Sequence, residues 1–225
     1  MRVLVTGSRG VIGSVLVAGL GFDIVPFDLP AGDARDEEQV RAALAGCDAA
    51  VHLAWKIRSD NQHGGFDPDN LAMAFAAVRA ALAARVERLV LASSVHAHNP
   101  PLGPGEINDP TAWPVPDSAY GASKVWMEAY GRHVAMTSAL EVVAIRFGGV
   151  NAADEQPRGD PYEHAVWLPH RDCVSVVHEA LTMSLPPDRY ALLVGVGDNE
   201  GRTYAFSPDS AWRPAPREGG VRQSS

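Results

Sequence analysis

The stretch that decides the fold is Arg2-Val-Leu-Val-Thr6-Gly7-Ser-Arg-Gly10-Val-Ile-Gly13. Its first residues form a short apolar, β-branched run, a pattern typical of a buried parallel strand. Three glycines follow, and Ile12, Val15, Leu16 and Leu20 then recur at helical spacing. A glycine-rich turn between a strand and a helix is the setting in which a dinucleotide's pyrophosphate binds a helix N-terminus.

Each of the three glycines has an expected task. Gly7 permits the tight turn, Gly10 lets the backbone approach a pyrophosphate, and Gly13 lets the helix pack on the strand. Val11 and Ile12 lie between the last two glycines and are expected to contact the same cofactor. The spacing is G-x-x-G-x-x-G, so the strand-turn-helix context carries the prediction.

A carboxylate ends the next predicted strand, which spans residues 23–28. Asp28 can accept hydrogen bonds from both hydroxyls of an adenosine ribose, and it repels a 2′-phosphate. Arg9, inside the glycine loop, could instead bind a 2′-phosphate or remain a solvated loop residue. The sequence therefore predicts NAD in preference to NADP.

A second motif, Tyr120-Gly-Ala-Ser-Lys124, places a phenol and an ammonium four residues apart in a predicted helix over 118–138. Residues at i and i+4 share one helix face. A tyrosine ordinarily titrates near pH 10, and a neighbouring cation lowers that pKa. The pair predicts a general acid/base, although many structural helices contain the same spacing.

Two serines end a further apolar strand, Arg88-Leu-Val-Leu-Ala-Ser93-Ser94. Ligands of open α/β sheets bind beyond the carboxyl ends of the strands. A serine hydroxyl there could hydrogen-bond the reacting oxygen while Tyr120 moves the proton. The alternative is a serine pair that caps a turn.

Strands and helices alternate along the rest of the chain, which predicts parallel βαβ units. The fold class we expect is α/β, a Rossmann-type doubly wound parallel sheet with a small C-terminal region that covers the substrate. Further strands are predicted at 49–54, 86–92, 140–147 and 191–196, and helices at 36–44, 67–84 and 172–184. The expected domains are an NAD-binding unit at 1–150, a substrate-binding region at 151–206 and a poorly ordered tail at 207–225.

Two segments interrupt this alternation. Residues 99–116 contain six prolines and predict a stiff loop near the substrate, whereas residues 151–170 are polar and predicted to be irregular and to cover the pocket.

Composition excludes several classes of function. The chain has 225 residues and a net charge of −8, and without a basic patch nucleic acid is not an expected partner. No apolar run reaches about 20 residues, so no membrane segment is expected. Met1 leads directly into a predicted core strand, so no signal peptide is expected. Cys47 and Cys173 lack metal-site spacing, which predicts reduced thiols, no metal and a cytoplasmic location.

With Thr6-Gly7-x-x-Gly10-x-x-Gly13, Asp28, Ser93-Ser94 and Tyr120-x-x-x-Lys124, the chain resembles the extended short-chain dehydrogenase/reductases, the NAD-dependent epimerase/dehydratase group. The resemblance implies that Ser94 orients the substrate oxygen, that Tyr120 transfers the proton, and that Lys124 lowers the tyrosine pKa and binds the nicotinamide ribose. It also implies a homodimer formed through the helices at 67–84 and 118–138.

The same resemblance assigns further cofactor contacts. Asp33 would contact the adenine amino group, and Asn70 would hold the cofactor loop. Other residues implied to lie against the cofactor are Ala34, Leu53, Ala54, Trp55, Ala92, Ser93 and Phe147.

Within the group, the chain is most similar to the uronate dehydrogenases, through Ala92-Ser-Ser-Val-His96, Glu128 after the Tyr/Lys motif, and residues 167–176. Residues implied to contact substrate are Lys56, Ser94, Val95, His96, Gly148 and Gly149. Lys56 and its neighbour Arg58 could bind a carboxylate or phosphate, or be solvated loop charges.

Three departures argue against a uronate as the substrate. The uronate enzymes have asparagine at the place of Val95 and serine at the place of Gly149. They carry a carboxylate-binding arginine in the segment occupied here by 160–164, for which Arg158 is a possible substitute. Sugar-nucleotide dehydratases carry an Asp-Glu pair where Val95 and His96 stand, so dehydration is not expected either.

Three functions remain open from the sequence. The first is an NAD-dependent oxidoreductase that acts on a hydroxyl or carbonyl of a sugar-like substrate, of the uronate or sugar-nucleotide kind. The second is a sugar epimerase that retains its cofactor and produces no net NADH. The third is a non-catalytic dinucleotide sensor, which would have no need of Ser94, Tyr120 and Lys124.

Overall fold

Six parallel strands form one sheet in the computed structural model, which describes residues 1–57, 65–103 and 105–216. The strands are β1 (Arg2–Thr6), β2 (Asp23–Phe27), β3 (Ala49–His52), β4 (Arg88–Ser94), β5 (Glu141–Phe147) and β6 (Tyr190–Gly195). Their order across the sheet is β2-β1-β3-β4-β5-β6, and every neighbouring pair is parallel. The doubly wound Rossmann-type sheet predicted from the sequence is confirmed.

Helices cover both faces of this sheet. They are α1 (Val11–Gly19), α2 (Glu37–Ala43), α3 (Pro68–Ala84), α4 (Ala119–Thr137), α5 (Pro161–Val166) and α6 (His170–Thr182). Apolar residues of α1 and α6 pack on one face, and those of α2, α3 and α4 pack on the other. Because both faces are covered, the inner strands β1, β3, β4 and β5 are almost wholly buried, whereas only Phe27 of the edge strand β2 is buried.

Polar side chains mark where several helices begin. Asp36, Asp67 and Ser118 each accept a backbone N–H from the first turn of the following helix, so these helices start one residue later than predicted. Asp160 caps α5 in the same way, and Pro161 occupies its first turn. The prediction of irregular structure throughout 151–170 was therefore wrong, because this cap and proline start a helix there.

The carboxyl ends of the strands gather the predicted site residues at one edge of the sheet. Thr6, the last residue of β1, pairs with His52 at the end of β3. Ser94, the last residue of β4, pairs with Phe147 at the end of β5. The glycine loop, Asp28 and Leu53 follow directly after β1, β2 and β3, so the expected cofactor residues share this edge.

The predicted C-terminal region continues the main sheet, since β6 pairs with β5. Residues 207–216 contact α6, a contact that their composition did not predict: the indole Nε1 of Trp212 donates to Ser175 Oγ at 3.0 Å. Residues 217–225 and Pro104 lie outside the described residues, and the proposed domain limits stay predictions. Among the described helices, none is long and apolar enough to cross a membrane.

One buried ion pair fixes α4 to the sheet. Arg146 of β5 donates from Nε and Nη2 to the two carboxylate oxygens of Glu128 on α4, at 2.9 and 2.8 Å. Both side chains are buried, with 2% and 7% of their surfaces exposed. Ser93 of β4 donates its hydroxyl to the same carboxylate, and Arg146 Nη1 reaches the carbonyl of Pro110 at 3.4 Å.

We expect Glu128→Ala to lower the free energy of unfolding by about 3–5 kcal/mol, because it leaves the Arg146 charge buried without its partner. Urea unfolding followed by circular dichroism measures the loss. Glu38→Ala is the matched control, since Glu38 pairs with Arg41 on the exposed face of α2 and should cost far less stability than Glu128→Ala. Equal effects of the two substitutions would contradict the prediction.

Candidate active site and cofactor cleft

A cleft of about 440 Å³ runs along the carboxyl edge of the sheet. Nearly all residues predicted to contact the cofactor line it: Gly7, Gly10, Val11, Ile12, Gly13, Asp28, Asp33, Ala34, Leu53, Ala54, Trp55, Ala92, Ser93, Tyr120, Lys124 and Phe147. Arg9 and Asn70 lie outside its lining. Gly32 and Met73 line it without having been predicted.

The glycine loop lets a ligand approach the protein backbone closely. Gly7 has φ +69°, and a Cβ there would lie 2.7 Å from the backbone nitrogen of Ala54, so only glycine fits. A Cβ on Gly13 would lie 2.1 Å from the Gly7 carbonyl oxygen, which places α1 against the loop. No side chain caps α1 at Gly10, so its first-turn amides remain available to an anion.

Two carboxylates stand at the far end of this cleft. Asp28 accepts the backbone N–H of Arg9 at 2.9 Å and that of Leu29 at 2.8 Å. The Arg9 guanidinium donates to the Leu29 carbonyl at 3.2 Å, so it lies beside Asp28. Hydrogen bonds from Arg35 lower the pKa of Asp33 to about 2, which keeps this carboxylate charged.

Asn70 fixes the chain where it leaves β3. Its side-chain oxygen accepts the backbone N–H of Lys56 at 2.6 Å, and its amide nitrogen donates to the carbonyl of the same residue at 3.0 Å. Asn70 is 4% exposed. The contact holds the segment that carries Trp55, in line with the loop-holding role implied by the resemblance.

Lys124 is buried beneath the cleft, with 3% of its surface exposed. Its ammonium donates to the carbonyl of Ala92 at 2.6 Å and lies 3.5 Å from the centroid of the Trp55 ring. Burial lowers the pKa of Lys124 to about 7, while the nearby Glu128 charge acts in the opposite direction.

Tyr120 and Ser94 meet where the cleft ends. The Ser94 hydroxyl is close enough to Tyr120 to act on its pKa as a hydrogen-bond donor, and it accepts the backbone N–H of His96 at 3.2 Å. Ser94 therefore caps a 3₁₀ turn at Val95–Ala97 as well as contacting Tyr120. Burial raises the pKa of Tyr120, and the hydrogen bond with Ser94 opposes this rise.

The prediction that Lys124 lowers the pKa of Tyr120 is wrong when only the protein's own charges, hydrogen bonds and burial act on the phenol. The Lys124 ammonium lies 5.6 Å from the centroid of the Tyr120 ring and is directed to Ala92 and Trp55. Desolvation of the phenol is therefore the larger effect. The i,i+4 spacing predicted a shared helix face but not how deeply that face is buried.

A second cleft of about 820 Å³ joins the first at Tyr120. Ser94, Tyr120, Phe147 and Gly148 line both clefts. Of the residues predicted to contact substrate, Ser94, Val95, His96, Gly148 and Gly149 line the second cleft, whereas Lys56 lines the first. The three cations considered for a substrate anion lie elsewhere or are not described. The Lys56 ammonium pairs with Asp69, and Arg158 lines a neighbouring cavity. Arg58 lies outside the described residues.

Several residues of the second cleft were missed from the sequence. Asp117 accepts hydrogen bonds from His96 Nδ1 and Asn99 Nδ2, each at 2.7 Å. Although burial favours the neutral acid, these hydrogen bonds hold the pKa of Asp117 below its ordinary value. Tyr162 also lines the cleft and was likewise missed, whereas Trp167, which the sequence offers as either a sugar-stacking or a core residue, lies in the lining as well. The cap at Asp160 could have predicted the helix that carries Tyr162, but no local signal pairs Asp117 with His96.

Within the described residues, no group of three or more His, Cys, Asp or Glu side chains could hold a metal ion. Cys47 and Cys173 both have free thiols.

Comparison with known proteins identifies the family. The model of the NAD dependent epimerase/dehydratase family matches residues 3–167. An L-arabinose 1-dehydrogenase (NAD(P)(+)) from Haloferax volcanii is 33% identical over 88% of this chain and 89% of its own length. A Pseudomonas putida uronate dehydrogenase is 27% identical over 88% of this chain and 77% of its own.

Solved structures agree on the fold. The crystal structure of uronate dehydrogenase from Agrobacterium tumefaciens superposes with a TM-score of 0.78, at 24% identity over 96% of this chain and 85% of that one. The resemblance that the motifs indicated is confirmed: the chain belongs to the NAD dependent epimerase/dehydratase family.

Proposed function

We propose that this chain is an NAD-dependent dehydrogenase that oxidises a hydroxyl of a sugar-like small molecule. The observation that carries the proposal is the junction of the two clefts at Ser94 and Tyr120. One cleft has an uncapped helix N-terminus and a carboxylate at its far end, which fits a dinucleotide. The arabinose and uronate dehydrogenase relatives support a sugar in the other cleft.

The proposed chemistry divides between cofactor and protein. A bound nicotinamide supplies the acceptor for the hydride that leaves the sugar carbon. The Ser94 hydroxyl holds the reacting sugar oxygen, and Tyr120 takes its proton. Lys124 supplies a positive charge beneath the dinucleotide cleft, where the family resemblance implies the nicotinamide ribose.

The cofactor we propose is NAD, with NADP as the alternative. Asp28 lies at the end of the cleft expected to hold the adenosine ribose, and its charge opposes a 2′-phosphate. Arg9 lies beside Asp28 and is the residue that could offset this repulsion.

We also propose a homodimer through α3 and α4, which carry an exposed aromatic stack. The Tyr130 ring stacks on Phe75 at 5.5 Å and on Trp126 at 5.3 Å between centroids. Phe75 and Trp126 are 45% and 37% exposed, and apolar surface of this kind is typical of an interface. The cytoplasmic location also stays a prediction.

Tyr120→Phe tests the proposed function. We expect kcat/KM with a sugar substrate to fall about 10²–10⁴-fold, because the proton acceptor is removed, while the Kd for NAD stays unchanged. Reduced nicotinamide absorbance over a panel of aldoses and uronic acids measures turnover, and calorimetry measures NAD binding. Tyr130→Phe is the control, since Tyr130 lies on the same helix outside both clefts.

Retained turnover in Tyr120→Phe would contradict this assignment. Two results with the wild-type chain would favour the alternative functions. Interconversion of sugars without net NADH would indicate an epimerase, and NAD binding without consumption of any sugar would indicate a sensor.

The choice between NAD and NADP is tested with Asp28→Asn. The substitution keeps a side-chain oxygen for the Arg9 amide but removes the charge, so the NADP/NAD ratio of kcat/KM should rise roughly tenfold or more. Steady-state kinetics with each cofactor give the ratio. Asp23→Asn is the control, since it removes a charge at the opposite end of β2 and should leave the ratio unchanged. An unchanged ratio in Asp28→Asn would show that Asp28 does not face the ribose.

Burial of Lys124 predicts a pH-dependent effect of Lys124→Met. Since the folded-state pKa is about 7, against an ordinary value of 10.5, the folded chain carries a costly buried ammonium below pH 7. Between these values the unfolded chain holds a proton that the folded chain has released, so wild-type stability rises with pH. Lys124→Met should therefore be more stable than wild type by about 1–3 kcal/mol at pH 6.5, with the gain vanishing near pH 10.5.

Urea unfolding across this pH range measures the difference. Lys56→Met changes the chain's other lysine, which is exposed, and should show a small effect without this pH dependence. A Lys124→Met variant that is less stable than wild type at pH 6.5 would show that burial does not penalise the ammonium.

A further inference from the structure

The charges that line the second cleft are almost all of one sign. Three carboxylates, Asp117, Asp160 and Glu163, lie in its lining, and no lysine or arginine does among the residues that the structure describes. Among the described lining residues, His96 is the one whose side chain can be cationic, and it is paired with Asp117 at 2.7 Å. The cleft therefore presents a negative potential to whatever enters it.

The described cations that adjoin lining residues in the sequence are held elsewhere. Lys56 pairs with Asp69, and Arg146 is buried against Glu128. Arg158 is exposed and lines the adjacent cavity with Glu155. A carboxylate or phosphate on the substrate would thus meet no described guanidinium or ammonium within the cleft.

Of the three carboxylates, Glu163 is the one best placed to face substrate. Asp117 accepts hydrogen bonds from His96, Asn99 and Ser118, and Asp160 accepts two amides at the start of α5. Glu163 is exposed and forms no ion pair among the described residues. An ionised carboxylate is an acceptor only, and sugar hydroxyls are donors that suit it.

We propose that this cleft selects uncharged sugars and rejects sugars that carry a carboxylate or phosphate, with Glu163 as the specificity-determining residue that accepts hydroxyl hydrogen bonds. The inference rests on the proposed function and names its substrate class. A neutral aldose gains a charge-assisted hydrogen bond at Glu163, whereas an anionic sugar is repelled by the three carboxylates of the lining.

Matched substrates that differ in one group give the test. kcat/KM is measured with NAD for D-galactose against D-galacturonate, and for D-glucose against D-glucuronate and glucose 6-phosphate. For the wild-type chain, kcat/KM for the neutral sugar should exceed that for the anionic sugar by about tenfold or more. This ratio should shrink as salt rises from 0.05 to 0.5 M, because salt screens charges at a solvent-open cleft.

Two substitutions at one position test the residue assignment. Glu163→Gln should lower the ratio several-fold by raising KM for the neutral sugar and relieving repulsion of the anionic one. Glu163→Arg should lower the ratio further. Glu155→Gln removes the same charge from the neighbouring cavity and should leave the ratio at its wild-type value.

The outcomes separate the two proposals. Two results would overturn this inference and leave the dehydrogenase proposal standing. The first is a higher kcat/KM for the uronates or the sugar phosphate than for the neutral sugars. The second is an equal change of the ratio in Glu163→Gln and Glu155→Gln. Absence of turnover with every sugar would overturn both.

Discussion

The position of the proposed catalytic residues depends on the buried pair between Glu128 and Arg146. Glu128 lies one turn beyond Lys124 and two turns beyond Tyr120, so the three side chains share one face of α4. Two charge-assisted hydrogen bonds join Glu128 to β5, and Ser93 joins it to β4. Because a buried pair is costly to separate, this face of the helix is held at the carboxyl ends of two strands.

The same arrangement explains the unusual state of Lys124. Once α4 is fixed against β4, the lysine has little solvent, and its ammonium donates to the Ala92 carbonyl and lies over the face of the Trp55 ring. Asn70 holds the loop that carries Trp55 through both polar groups of Lys56. The charge is therefore kept close to the dinucleotide cleft at a cost in folding stability, an arrangement typical of functional sites.

Local patterns predicted those parts of the structure that depend on near neighbours in the chain. The β-branched run before Gly7 indicated β1, and the spacing of Tyr120 and Lys124 indicated one face of a helix, since both follow from backbone periodicity. The short α5 was missed because its polar composition outweighed a valid start signal at Asp160 and Pro161. The pairing of Asp117 with His96 spans 21 residues and depends on tertiary structure, as does the rise in the Tyr120 pKa.

Charge is distributed unevenly along the two joined clefts, and this distribution constrains what each can hold. At one end Asp28 and Asp33 face the dinucleotide cleft, and beneath its other end lies Lys124. Beyond Tyr120 the described lining is acidic again. Arg35 and Lys56 also line the first cleft, so the buried cation stands near the junction where Tyr120 and Ser94 meet, next to a second cleft whose described lining is acidic. We therefore expect a negative charge that develops on a reacting oxygen to be stabilised better at this junction than inside the second cleft, where the carboxylates oppose an anion.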